Sequence, residues 1–234
     1  MDMEEFKKYA EKEGIKITDK TIADLELYLK ELLEWNEKFN LTGITEPQDI
    51  WHKHFMDSLT VFKSIPEKAI KIIDIGTGAG LPGLVIQILN PRLHVTLMDA
   101  TGKKVEFLKH MVKILELKNT IAIQNRAEIL GHNPSYRESF DVALSRAVAL
   151  LPTLLEYVLP FVKVGGIFIA QKKDGLEEIE TSAEAIKTLG GNIKEKIKID
   201  SEILLERQLI LIEKIKGTPK EYPRAEGLAK KRPL

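Results

Sequence analysis

The sequence predicts an α/β fold in which a mostly parallel, seven-stranded sheet carries an antiparallel edge hairpin and is preceded by a helical extension. Three observations predict it. Apolar, β-branched runs alternate with segments of helical period from Ile70 onward. The first of these runs leads straight into a glycine-rich turn and a helix. The last two runs follow one another with no helical pattern between them. Strands that are apolar on both faces and separated by helices belong to a sheet covered on both sides, which is the parallel kind.

The elements follow in order. From Thr18 to Asn40, Ile22, Leu25, Leu29, Leu32 and Phe39 fall close to one helical face behind a Thr or Asp cap, the mark of a long amphipathic helix. A shorter helical stretch with Trp51, His54 and Phe55 follows Pro47, and the pattern changes near Ile70. Residues 1–69 are therefore expected to form an N-terminal helical extension. The α/β unit is expected over 70–215. Its runs are IKIIDI, then helix Leu84 to Leu89; HVTLMD, then Val105 to Leu117; NTIAIQ; FDVALS, then Leu150 to Val158; and GGIFIAQK, then Leu176 to Leu189. NIKEKIKI and RQLILIEKI close the chain of strands as the edge hairpin.

Composition narrows the function. A chain of 234 residues with 44% hydrophobic and 30% charged residues is that of a soluble globular protein with one full core. No apolar run approaches the ~20 residues of a membrane span, and Met1 to Lys12 holds no apolar leader, so a cytoplasmic protein is expected. The absence of cysteine excludes disulfides, thiolate metal sites and sulfur nucleophiles. The net charge of zero hides an uneven distribution: residues 1–34 carry ten acids against six lysines, and residues 216–234 carry six basic groups against two glutamates. A basic end can seek phosphate in a neutral chain.

The first strand runs into Gly76, Thr77, Gly78, Ala79, Gly80, Leu81, Pro82 and Gly83, with a helix opening near the proline. Glycines there admit positive φ and close ligand approach, and the helix start offers free N–H groups. Two ligand classes fit. Gly78, Gly80 and Gly83 have the G-x-G-x-x-G spacing, and Asp99 ends the second strand where a dinucleotide's ribose would be held. Asp74 opposes that reading, because its carboxylate would face a pyrophosphate across the loop. S-adenosylmethionine carries an ammonium and a sulfonium and no phosphate, so the acid suits it. On that reading Asp99 accepts the ribose hydroxyls, with Ala100 and Thr101 along the ribose edge; its plainer role is to cap the next helix. Arg126, Ala127 and Glu128 follow the third strand, where the adenine is expected.

At this point the residues resemble the small-subunit ribosomal RNA guanine-N7 methyltransferases, also called glucose-inhibited division protein B. The likeness runs through WNEKFNLTGI at 35–44, HFMDSL at 54–59, DIGTGAGLPG at 74–83, RAE at 126–128, SRA at 145–147 and TPKEYPR at 218–224. It implies a Rossmann-like class I S-adenosylmethionine-dependent methyltransferase fold. It implies cofactor contacts at Gly76, Leu81, Asp99, Ala100, Thr101, Ala127, Glu128 and Arg146, and a substrate guanine in the decoding-region loop of 16S ribosomal RNA, free or in the small subunit. Elimination agrees. Methylation at pyrimidine C5 commonly needs a cysteine, and amine methylation an Asn/Asp-Pro-Pro-aromatic loop where this chain has Ser145, Arg146 and Ala147. Guanine N7 has an in-plane lone pair and no proton to lose, so alignment suffices and no catalytic acid or base is named.

Other residues have two readings each. His54 and Asp57 at i, i+3 could meet substrate or a metal, but no third ligand is evident, and Asp57 is expected to cap a helix beside a packed His54. Asn40 and Thr42 are helix-end caps or RNA contacts. Lys172 and Lys173 border the pocket as phosphate contacts or solvated charges, and Arg207 interrupts an edge strand in the same way. Residues 216–234, rich in proline and basic groups and with Tyr222 as a stacking group, are expected to be a flexible RNA-binding tail whose loss leaves cofactor affinity unmoved.

Overall fold

The structure, a computed structural model, describes residues 3–173, 176–201, 204 and 207–234. Helices α1 (Met3–Lys12) and α2 (Asp19–Phe39) open the chain. Thr18 starts α2 as a reciprocal cap: its Oγ1 accepts Thr21 N at 3.1 Å, and Thr21 Oγ1 accepts Thr18 N at 3.4 Å. Asn40 ends it in the left-handed region, φ 49°, which its short amide side chain tolerates. The buried face of α2 is Ile22, Leu25, Tyr28, Leu32 and Asn36. Leu29 and Phe39 pack only at its margin. Next, α3 (Pro47–Ile50) continues through a π-helical turn, Trp51–Met56, into α4 (Asp57–Phe62).

The α/β unit follows as β1 (Lys71–Ile75), α5 (Gly83–Leu89), β2 (His94–Asp99), α6 (Gly102–Ile114), β3 (Thr120–Gln124), α7 (Ala127–Leu130), β4 (Phe140–Arg146), α8 (Leu151–Val158), β5 (Val162–Lys173), α9 (Leu176–Glu180), α10 (Ala183–Thr188), β6 (Gly191–Lys198) and β7 (Arg207–Lys214), and α11 (Leu228–Lys231) comes last. The sheet order is β3-β2-β1-β4-β5-β7-β6, with β7 antiparallel to both neighbours. Ile73 pairs with Thr96 on one side and Ala143 on the other, so β1 is an interior strand and its glycine turn emerges beside β4, where the strand order reverses. Ligands gather at that reversal of strand order in open α/β sheets.

Two differences from the expected pattern have local causes. The edge hairpin exists, but β7 inserts between β5 and β6, so Arg207 opens an interior strand and β6 forms the edge. This is why residues 208–212 are continuously buried while β6 alternates. The helix expected from Leu176 to Leu189 is broken. Thr181 and Ser182 both turn their hydroxyls onto Glu178 O, at 3.0 and 2.5 Å, and divert the helical ladder.

The helical extension shares its core with the sheet. Tyr28, Leu32, Phe55, Leu84, Phe107 and Leu144 belong to one apolar cluster, and the opposite sheet face buries a second around Leu154, Phe161 and Phe168. Among the described residues no helix is long and apolar enough to cross a membrane.

Residues 216–234 correct the expectation of a flexible tail, because they are seated on the domain. Lys214, fully buried, donates to Leu159 O at 2.6 Å and Thr218 Oγ1 at 2.7 Å and lies 3.1 Å from Glu138 Oε1. Arg137 gathers the carbonyls of Thr218, Pro219 and Tyr222 at 2.8, 3.0 and 2.8 Å. Arg224 grips the buried Glu156, with Nη2 2.6 Å from Oε2. The segment lacks a large apolar side chain at most positions, and polar anchors replace the core that composition could not supply.

Candidate cofactor-binding cleft

The turn after β1 is built by its glycines in different ways. Gly76, Gly78 and Gly80 have φ of 68°, 62° and 104°, a region that β-carbon sterics deny to most residues. A Cβ on Gly80 would lie 2.9 Å from the Tyr28 hydroxyl, and one on Gly83 would lie 2.6 Å from Leu97 Cδ2 and 2.8 Å from Asp74 Cβ. Those two glycines allow close packing. Gly78 instead faces open space, its nearest contact being Lys104 Nζ at 4.0 Å. The turn is tied down from several sides: Gly76 N and Thr77 N both donate to Met98 O, at 2.8 and 3.1 Å, and the buried Tyr28 hydroxyl donates to Ala79 O at 2.5 Å.

Two carboxylates flank the turn. Asp74 is fully buried; its Oδ2 accepts Thr77 Oγ1 at 2.6 Å and Gly83 N at 2.8 Å, while Oδ1 finds no hydrogen-bond partner among the described residues. Burial outweighs those two donors and pushes its carboxyl up to about 6. Asp99 ends β2 and bridges two loops: Oδ2 accepts Gly78 N at 3.0 Å and Oδ1 accepts Thr101 N at 2.8 Å. The residue before α6 is Thr101, so Asp99 does not stand at the capping position.

A cleft of about 160 Å³ opens beside these groups. It is lined by five of the eight expected residues, Gly76, Asp99, Ala100, Ala127 and Glu128. Thr101 adjoins it through its bond to Asp99. Leu81 is buried in the apolar cluster beneath the turn, so its side chain anchors the loop. Val148 and Tyr157 also line the cleft. Nothing in the sequence distinguished them, since Tyr157 reads as one more apolar position of α8 and Val148 as loop.

Arg146 is placed differently from the expectation. Its Nη1 donates to Asp57 Oδ2 at 2.8 Å and Lys53 O at 3.1 Å, and it does not line the cleft. Asp57 is the first residue of α4 and not its cap, and Arg207 Nε also lies 3.2 Å from its Oδ1, off hydrogen-bond geometry. His54 joins the cluster, with Nε2 2.8 Å from Thr42 Oγ1 and Nδ1 3.0 Å from Lys53 O. Burial, reinforced by the Arg146 charge, pushes the imidazole down to about 4, so it is neutral at pH 7. Lys172 donates to Ala149 O at 2.9 Å and pairs with Glu178 at 2.7 Å.

A seven-stranded sheet of this order, with an acid-flanked glycine turn where the strand order reverses, defines a Rossmann-like methyltransferase. A SAM-dependent methyltransferase from Aquifex aeolicus shares the fold at TM-score 0.54 and 16% identity, over 73% of this chain and 94% of that one. The profile of the GidB family, rRNA small subunit methyltransferase G, matches residues 21–210, and the chain belongs to that family. It is 43% identical to the ribosomal RNA small subunit methyltransferase G of Acetivibrio thermocellus over 94% of this chain and 92% of that protein. The protein of the same name from Bacillus thuringiensis is 41% identical over 100% of this chain and 99% of its own length.

Proposed function

We propose that the chain transfers the methyl group of S-adenosylmethionine to N7 of a guanine in the decoding-region loop of 16S ribosomal RNA, in the cytoplasm. The observation that carries this reading is the pair of carboxylates around an open-faced Gly78: a cationic ligand without phosphate is what Asp74 and Asp99 can accept. A carboxylate offers about four lone-pair sites. Asp99 uses two on Gly78 and Thr101, which leaves two for ribose hydroxyls. The Asp74 carboxylate, buried behind the turn and bonded to Thr77 and Gly83, sets a negative charge close to where a pyrophosphate would lie.

When bound, the cofactor supplies an electrophilic methyl on a good leaving group. The protein's part is to orient. Asp99, Ala100 and Thr101 hold the ribose side, Ala127 and Glu128 the far end, and Gly76 lets the ligand lie against backbone. Guanine N7 has no proton to lose, so no residue acts as a base. Arg146, clamped by Asp57, shapes the substrate side of the site from behind. The RNA partner meets the basic face of residues 216–234, where Lys216, Lys220, Lys230, Lys231 and Arg232 are exposed while Arg224 is held by Glu156.

Incubation with labelled S-adenosylmethionine and small subunits lacking modifications should place the label on one guanine at N7. Asp99→Ala should weaken cofactor binding by ~1–3 kcal/mol, and Gly78→Val should abolish it. Calorimetric binding of NADH with none of S-adenosylmethionine would overturn the reading in favour of an oxidoreductase.

A further inference from the structure

Residues 211–234 lie outside the span matched by the family profile, yet the C-terminal segment reaches the cleft. Gly227 N donates to Glu128 Oε1 at 3.1 Å, and Arg126 Nε lies 2.9 Å from Glu226 Oε1. Both Arg126 and Glu128 line the cleft. Glu128 is 8% exposed, and Tyr157 of α8 lines the same cleft. The same helix anchors the segment on both sides of that contact: Glu156 holds Arg224, and Thr153 Oγ1 donates to Ala229 O at 3.2 Å.

From this we infer that residues 226–231 form a strap that positions Arg126 to Glu128 at the far end of the cofactor cleft. The helix α7 has four residues, one turn, and a single turn does not hold itself. Ala127 and Leu130 seat it in the apolar cluster, and the buried carboxylate of Glu128 ties it to a backbone N–H of the strap. Remove the strap and the buried carboxylate loses its backbone donor, so it must turn toward water and take Ala127 with it. Gly227 can make its bond because it adopts φ 74°. A Cβ there would meet nothing among the described residues within 4 Å, so the requirement is conformational and not steric. The strap is thus a positioning element whose residues touch neither the transferred methyl nor the base.

The inference rests on the cleft being the S-adenosylmethionine site, and the test separates the two. Titration calorimetry with S-adenosylmethionine is run on the full chain, on a truncation after Ala225 that retains the Thr218 and Arg224 anchors, and on Gly227→Ala and Gly227→Asn. The truncation should weaken binding at least tenfold and Gly227→Ala several-fold. Gly227→Asn should bind within twofold of the full chain, because asparagine tolerates the left-handed region that alanine resists. In steady-state methylation Gly227→Ala should raise KM for the cofactor and leave kcat unchanged. A folded truncation and a Gly227→Ala variant that both bind as the full chain does would overturn the strap. No binding by the full chain itself would overturn the cofactor reading.

Discussion

Asp57 and Arg146 stand 2.8 Å apart although 89 residues separate them in sequence, and the Asp57 side chain is 1% exposed. The pair joins the start of α4 to the end of β4. Arg207 at the start of β7, its side chain 28% exposed, brings a second guanidinium group to the same buried acid. Removing Asp57 leaves Arg146, 11% exposed, charged and without its carboxylate, and breaking a buried pair in this way typically costs ~3–5 kcal/mol. Asp57→Ala should therefore lower the unfolding free energy by about that amount in urea denaturation. A loss below ~1 kcal/mol, the scale of an exposed pair, would mean that water reaches the cluster.

Asp74 gives cofactor binding a pH dependence. Burial pushes its carboxyl up to about 6, so the ionised form, whose negative charge lies behind the glycine turn, falls to roughly a tenth at one pH unit below that value. Affinity for S-adenosylmethionine should drop about tenfold between pH 7 and pH 5, and Asp74→Asn should show weak binding with no such slope in calorimetry at the two pH values. Stability responds with opposite signs in the same window. The raised carboxyl costs stability as pH rises from 3.8 to about 6. The lowered His54 loses stability as pH falls from 6.5 toward 4.

Tyr28→Phe removes the hydrogen bond to Ala79 O and leaves that carbonyl without its side-chain donor. The expected cost is ~1–3 kcal/mol in thermal or urea unfolding. Because Ala79 lies in the glycine turn, cofactor affinity should also fall. Wild-type affinity in a destabilised Tyr28→Phe would show that the helical extension supports the fold without supporting the turn.

Lys230, Lys231 and Arg232 are exposed, and changing all three to alanine should flatten the dependence of log RNA affinity on log salt. The change should reach up to ~2 units at ~0.7 per single-strand phosphate contact. Titration of a small-subunit RNA fragment at several salt concentrations measures it. An identical slope would remove these residues from the RNA contact.

The strands were legible because burial on both faces writes itself as continuous apolar runs. HVTLMD, for instance, coincides with β2, His94–Asp99. The glycine turn was legible for the same local reason, since positive φ restricts residue type. What sequence hid were partnerships between distant elements. Asp57 and Arg146 each looked like a candidate contact until the fold brought them together, and Tyr28 was one apolar-face residue among several until its hydroxyl met Ala79. The helix α1 was obscured because Phe6 and Ala10 are its only buried residues amid charges. The C-terminal segment was misread because its anchors, Thr218 and Arg224, are polar, and composition registers only apolar surface.

The enclosure of Lys214 has a practical consequence. Burial brings its amine down to about 8, yet no reagent can reach a nitrogen surrounded by Leu159 O, Val162 O and Thr218 Oγ1 at 2.6, 3.2 and 2.7 Å. Acylation of Lys214 can proceed only through opening of the C-terminal segment, whereas exposed lysines such as Lys220 and Lys230 react at once. Peptide mass spectrometry of a timed acylation would thus read the opening rate of that segment from a native amine, with no introduced label.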